Sequence, residues 1–154
     1  MPDHVEAVAQ LYEDVLAFYL KAGFRHPLDD GKVPGNNGGD GLEAAIHLQH
    51  MGRTVQVNLL CDPQRMPTDA RRAFDRATQA GINIQIGLPS SAPDLTEQDL
   101  CIDAMLGIGA TRPPEGDMLQ AIRWFNAGAA TVLAIDIPTG LDADSGQTLG
   151  SAES

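Results

Sequence analysis

The sequence predicts an α/β protein with a Rossmann-like, mainly parallel sheet and helices on both faces. Short apolar, strand-like segments alternate with segments of helical spacing, which is the pattern of βαβ units. Gly-rich loops follow or precede these segments, as in doubly wound folds. A chain of 154 residues, 43% of them hydrophobic, is long enough for one domain with its own core. We therefore interpret residues 1–154 as a single domain.

The first half of the chain predicts two helices, a strand and a third helix. Apolar residues at helical spacing between Val5 and Tyr19 predict a helix over 3–22, which Gly23 ends. FRHPLDDGKVP reads as a polar loop over 24–34, and a second helix is predicted over 38–51. The apolar alternation of TVQVNLL predicts a strand over 54–60. A proline then opens a helix over 67–80.

The second half predicts three strands and one helix. INIQI is a strand over 82–86, and a loop over 87–98 leads to the buried strand DLCIDAML over 99–106. A Gly/Pro-rich loop precedes a helix over 117–127, and TVLAIDIP is the last strand, over 131–138. Residues 139–154 are small and polar.

Two features depart from a regular βαβ order. The segment HPLDDGKVP stands where an apolar strand is expected just before Gly35. The sequence also stops soon after the strong strand at 131–138, so we expect it to be truncated and to lack the C-terminal edge strands of such a sheet.

Charge and cysteine content narrow the function. A net charge of −11 disfavours nucleic acid and anionic membranes as partners and leaves a small molecule as the expected ligand. Cys61 and Cys101 lie in or beside apolar runs, which predicts reduced, buried thiols. No apolar run approaches the roughly 18 residues of a membrane span, and the N-terminus has no secretory signal pattern. We expect a cytoplasmic protein.

Three loops can bind a ligand beyond the carboxyl ends of the strands: Gly35–Gly41, Gly107–Gly116 and Ile137–Asp144. The first offers backbone N–H groups at a helix N-terminus, where glycines allow an anion to approach without a basic side chain. It matches neither the P-loop nor the dinucleotide fingerprint. The alternative is a tight turn in which Asp40 suits the helix dipole.

Two acids end buried, apolar strands and are expected to face one crevice. Asp103 and Asp136 would repel each other unless one is protonated or a cation lies between them. Asn37, Asp103 and Thr139 supply only oxygens, which suits a hard cation better than zinc. The alternative for Asp103 is a cap or turn residue. In the second loop, Arg112 is the cation placed to meet a phosphate.

The remaining candidate metal ligands are His47 and His50, which share a helix face. Without a cysteine or a nearby third ligand, packing or surface exposure is the favoured interpretation of this pair.

The loops GNNGGDGLEAA (35–45), IDAMLGIGATRP (102–113) and AIDIPTGLDADSG (134–146) resemble the motifs of the YjeF N-terminal family of NAD(P)H-hydrate epimerases. The similarity spans 33–150, with all three motifs in the family's order. The resemblance implies a Rossmann-like dimer, an isomerase that interconverts the R and S forms of NADHX and NADPHX. By the same resemblance, the product would serve a dehydratase partner in cofactor repair, and one potassium ion would bind per subunit.

The resemblance also implies roles for individual residues. Asp136 would be the catalytic acid/base, in contact with the reacting nicotinamide end, and Asn37, Asp103 and Thr139 would coordinate potassium. The dinucleotide hydrate would be held by Asn36, Asn37, Gly38, Gly39, Asp40, Gly107, Ile108, Gly109, Ala110, Thr111, Arg112, Pro113 and Asp136.

Two residues depart from the family pattern. Thr139 stands where serine is usual, and Met118 stands where many members have a tyrosine. Two other classes of function remain open beside the epimerase. One is a catalytically degenerate relative acting as a binding or scaffold module, and the other is an unrelated nucleotide-binding enzyme. Turnover of the R hydrate would distinguish the epimerase from a degenerate relative. Potassium-dependent stabilisation would distinguish it from an unrelated nucleotide-binding enzyme.

Overall fold

The computed structural model describes the backbone of residues 16–20 and all of residues 37–150. Their α-helices and strands follow one another as β1 (Leu16–Leu20), α1 (Asn37–His50), β2 (Val55–Leu59), α2 (Thr68–Gln79), β3 (Asn83–Ile86), β4 (Leu100–Ala104), α3 (Asp117–Ala127) and β5 (Thr131–Ala134). A 3₁₀ turn, Pro63–Arg65, precedes α2.

The five described strands form one parallel sheet in the order β3-β2-β1-β4-β5. Phe18 of β1 lies opposite Val57 of β2 on one side and Ile102 of β4 on the other. The strands β2 and β3 lie on one side of β1, and β4 and β5 lie on the other. This change of side places a crevice beyond the carboxyl ends of β1 and β4. The predicted fold class is therefore confirmed.

Helices cover both faces of the sheet. On one face α1 and α2 pack over the strands, with Leu42, Leu48 and Val57 among the buried side chains of the core. On the other face, Ala121 and Ile122 of α3 join a cluster that includes Cys101 of β4. Because β4 contributes to both clusters through alternating residues, all five of its residues are buried.

The predicted helix over 3–22 is wrong at residues 16–20, which form the central strand β1. The rest of that helix and the predicted loop over 24–34 lie outside the described residues. LAFYL is a short continuous apolar run, and such a run cannot be assigned to helix or strand by periodicity. This run forms the strand before α1 that the sequence pattern required and that HPLDDGKVP did not match.

The predicted strand over 131–138 is too long. It ends at Ala134 and lies at the edge of the described sheet, with Val132 40% exposed. Asp136 therefore does not end a buried strand, as the sequence indicated, but lies on an exposed turn beyond it. The other six predicted elements begin and end within two residues of the observed ones.

The segment after β5 folds back into a hairpin-like turn rather than a featureless tail. Leu141 and Thr148 form an antiparallel bridge, and the Leu149 N–H donates to the Gly140 carbonyl at 2.7 Å. Gly150 then lies against Pro113. This turn brings Thr139 beside the loop after β4. No helix of the described residues is long and apolar enough to cross a membrane.

Candidate functional site

The N-terminus of α1 opens onto the crevice. Gly38 and Gly39 are buried in the first turn, where the backbone N–H groups have no partner within the helix. Asp40 lies in the same turn and is largely exposed. The pKa of its carboxyl is raised, mainly by partial desolvation and to a smaller extent by repulsion from Glu43. The structure thus places Gly38, Gly39 and Asp40 together at a helix N-terminus, while Asn36 lies outside the described residues.

Asn37 ties the helix to both neighbouring loops. Its Nδ2 donates to the Leu106 carbonyl at 3.0 Å and to the Ile135 carbonyl at 2.9 Å. The side chain is buried, so both hydrogens of the amide are used within the protein. This double contact fixes the orientation of the amide where α1 meets the loops after β4 and β5.

Asp103 and Thr139 form a buried pair beside this anchor. The Asp103 carboxylate accepts three hydrogen bonds: from the Thr139 N–H and hydroxyl, both at 2.7 Å, and from the Met105 N–H at 3.2 Å. The Thr139 hydroxyl oxygen accepts from the Leu106 N–H at 3.1 Å. Burial raises the pKa of the Asp103 carboxyl, and these hydrogen bonds oppose the rise.

Asp136 is held differently, in the exposed segment that follows β5. It is the one non-glycine residue with a positive φ (75°) in the part of the chain that the structure describes. Its Oδ2 accepts from the Ile108 N–H at 2.7 Å. Asp103 and Asp136 thus each accept a hydrogen bond from a backbone N–H of the loop after β4.

The rest of the predicted second loop is mostly open to solvent. Ile108 is 65% exposed, and Arg112 is also exposed, whereas Ala110 is buried against α3. Among the predicted ligand-binding residues of this loop, Gly107 and Ile108 lie next to Asp136. The others that are exposed are Gly109, Thr111, Arg112 and Pro113.

The residues predicted to hold potassium lie close together and are linked through Leu106. Leu106 accepts from Asn37 and donates to Thr139, which in turn donates to Asp103. The side chains supply an amide, a carboxylate and a hydroxyl, with a single formal negative charge. No group of three or more His, Cys, Asp or Glu residues suited to a metal occurs among the described residues. This donor set fits a hard, monovalent cation.

Other predicted positions lie away from this cluster. His47 and His50 are exposed in the last turn of α1. Met118 is buried in the α3 cluster, so it contributes to the core.

The sequence did not indicate the backbone groups that assemble the site. The carbonyls of Leu106 and Ile135 and the N–H groups of Leu106 and Ile108 position the polar side chains. Backbone groups leave no signature in residue type, and these contacts join segments up to 98 residues apart in sequence. The glycine at 107 was the one available signal.

Comparisons with known proteins identify the family of the chain. The family described as "YjeF-related protein N-terminus" matches residues 33–153. The chain is 46% identical over 117 residues to an NAD(P)H-hydrate epimerase of Bordetella pertussis, which covers 76% of this chain and 49% of that protein. It is 38% identical over 123 residues to a bifunctional NAD(P)H-hydrate repair enzyme of Thermofilum pendens, which covers 77% of this chain and 24% of that protein.

Together with the parallel sheet, these matches define an α/β protein of a known family. The chain belongs to the YjeF-related N-terminal family. It spans about half or less of the length of these two curated relatives. The crystal structure of the yeast protein YNL200c has the same fold, with a TM-score of 0.63 over 98% of this chain and 57% of the yeast chain, at 21% identity.

Proposed function

We propose that this protein is an isomerase that interconverts the R and S forms of hydrated NADH and NADPH. The observation that supports it most is the Asp136 carboxylate, held by a backbone N–H at the lip of a crevice bordered by the N-terminus of α1. The names of relatives at 38–46% identity support the same reaction. Since the chain covers only part of those proteins, the activity remains our proposal.

The chain's own residues suit the parts of such a substrate. The N–H groups at the start of α1 and the exposed Arg112 would hold the pyrophosphate without a phosphate-loop lysine. Epimerisation at C6 of the hydrated ring requires either loss of the hydroxyl or opening of the ring. Both routes move a proton at that hydroxyl, and we assign the transfer to Asp136.

We propose that Asn37, Asp103 and Thr139 hold one potassium ion. When bound, the ion would supply a fixed positive charge that offsets the buried carboxylate and orders the loops against the substrate. The oxygen donor set and the burial of all three residues support this assignment.

We extend the proposal to the protein's setting. A homodimer in the cytoplasm would pass the S hydrate to a dehydratase specific for that form. The name of the Thermofilum pendens relative supports a link between hydrate repair activities, and neither cysteine is in a disulfide.

The direct test supplies R-NADPHX, potassium and a separate S-specific dehydratase, and follows the recovery of NADPH absorbance. We expect recovery to be faster with the protein than with dehydratase alone. Folded protein that gives no acceleration would overturn the proposal and favour a binding or scaffold module.

The role of Asp136 is tested with Asp136→Asn, which keeps the size of the side chain and removes its capacity to accept a proton. We expect epimerisation to be lost while cooperative unfolding is retained. Asp94→Asn is the matched control, because Asp94 is an exposed carboxylate between β3 and β4, outside the three candidate ligand-binding loops. Full activity in Asp136→Asn would contradict the assignment.

A further inference from the structure

Gly107, three residues after β4, is next to the carboxylate of Asp136. A Cβ atom added to Gly107 would lie 2.5 Å from Asp136 Oδ2 and 3.5 Å from its Cγ. The first distance is shorter than non-bonded contacts allow, so the carboxylate and a side chain at position 107 cannot share this space. The φ of Gly107 is outside the left-handed region, so the backbone conformation does not itself require glycine here.

Asp136 reaches this space by way of an unfavourable backbone. Its φ of 75° is uncommon for a residue with a side chain and persists only where the surroundings favour it. A hydrogen bond compensates for this backbone conformation, since the Ile108 N–H donates to the Asp136 Oδ2 at 2.7 Å. The residue that lacks a Cβ and the residue that provides the donor are consecutive.

We propose that Gly107 is a positioning residue for Asp136. Its missing side chain creates the space in which Oδ2 lies, and the adjoining Ile108 N–H fixes the oxygen there. The carboxylate is thereby set at one place and angle at the lip of the crevice before substrate arrives. This inference rests on the proposed role of Asp136 in proton transfer, and it assigns the function of Gly107 to geometry rather than to contact with phosphate.

The kinetic test compares alanine at two glycines, one beside Asp136 and one outside the candidate ligand-binding loops. Gly107→Ala displaces the carboxylate, and we expect kcat to fall by about 100-fold, the scale of a 1 Å misplacement, with a much smaller change in KM. Gly128→Ala is the matched substitution, because Gly128 follows α3 outside the candidate ligand-binding loops, its φ is also outside the left-handed region, and an added Cβ would lie 3.1 Å from the Trp124 carbonyl oxygen. We expect it to lose only a minor part of what Gly107→Ala loses. Equal losses in kcat, or a change confined to KM, would overturn the proposal.

A second measurement does not depend on activity. The melting temperature is measured for Gly107→Ala in the wild-type background and in an Asp136→Ala background, where the conflicting carboxylate is absent. We expect a decrease in the first background and little or none in the second, since contacting residues are energetically coupled. An equal decrease in both would overturn the proposal, because the loss of stability would then not depend on the Asp136 carboxylate.

The two measurements separate this inference from the proposed function. A wild-type protein without epimerase activity would overturn the proposed function, while the unfolding cycle would still report whether Gly107 makes room for Asp136.

Discussion

At the scale of single residues, the site depends on a buried carboxylate with a full set of donors. Asp103 is 3% exposed, and an ionised group at that depth is costly unless it is hydrogen-bonded. Thr139 provides two of its three donors, one from the backbone and one from the side chain. The threonine hydroxyl therefore supports the local structure whether or not a cation is bound.

Thr139→Val tests this support. The substitution removes a donor to Asp103 and the acceptor of the Leu106 N–H, so we expect a loss of about 1–3 kcal/mol in the free energy of unfolding. Urea denaturation of Thr139→Val and Thr139→Ser measures it, and serine should retain most of the stability. Thr148→Val is the control, since Thr148 is exposed on the hairpin turn. An equal loss in the control would contradict the interpretation.

Cys101 gives a prediction about reactivity and pH. Burial, with a smaller contribution from Asp99, raises the pKa of its thiol to about 12. The folded protein then holds this proton more tightly than the unfolded chain, so the thiol's contribution to stability falls as the pH rises above 9.0, the ordinary value. We expect iodoacetamide at pH 8 to leave Cys101 unmodified in the folded protein and to alkylate it in urea, as peptide mass spectrometry would show. Rapid alkylation in the folded state would contradict its burial.

At the scale of elements, the sheet depends on its central strand. β1 pairs along its whole length with both β2 and β4, and no other described strand joins these two. The link is made by residues that local periodicity assigned to a helix. Non-local pairing therefore outweighed the local preference of this segment.

Carbon-13 chemical shifts test the identity of β1. We expect the Cα and Cβ shifts of Leu16–Leu20 to have strand values, because every residue pairs on two sides. Asn37–His50 of α1 provides an internal helical reference in the same spectrum. Helical shifts at 16–20 would contradict the strand and restore the helix expected from periodicity.

The features that the sequence predicts correctly have local causes, and the features that it misses depend on contacts between distant residues. The helix at 117–127 was predicted with its observed bounds, because glycines flank it on both sides. The candidate ligands Asn37, Asp103 and Thr139 were also found from residue type and position. The conformation of Asp136 could not be predicted, since it depends on an amide 28 residues earlier in the chain.

At the scale of the whole molecule, the candidate site connects three parts of the chain that the fold of the sheet brings together. Asn37 begins α1, Asp103 lies in β4, and Thr139 follows β5. A cation bound to all three would be bound by the folded state alone, because these residues come together only in the fold. Its binding free energy would then stabilise the entire protein by mass action.

Potassium should therefore raise the melting temperature beyond the effect of ionic strength. At a free concentration one hundred times the dissociation constant, we expect about 2.7 kcal/mol of added stability. Calorimetry in potassium chloride and in choline chloride of equal ionic strength separates specific binding from screening. Asp103→Asn removes the one carboxylate of the set and should abolish the difference. Asp94→Asn, which alters an exposed acid between β3 and β4, should preserve it. Equal melting temperatures in the two salts would show that the three oxygen donors form a hydrogen-bonded structural cluster without a cation.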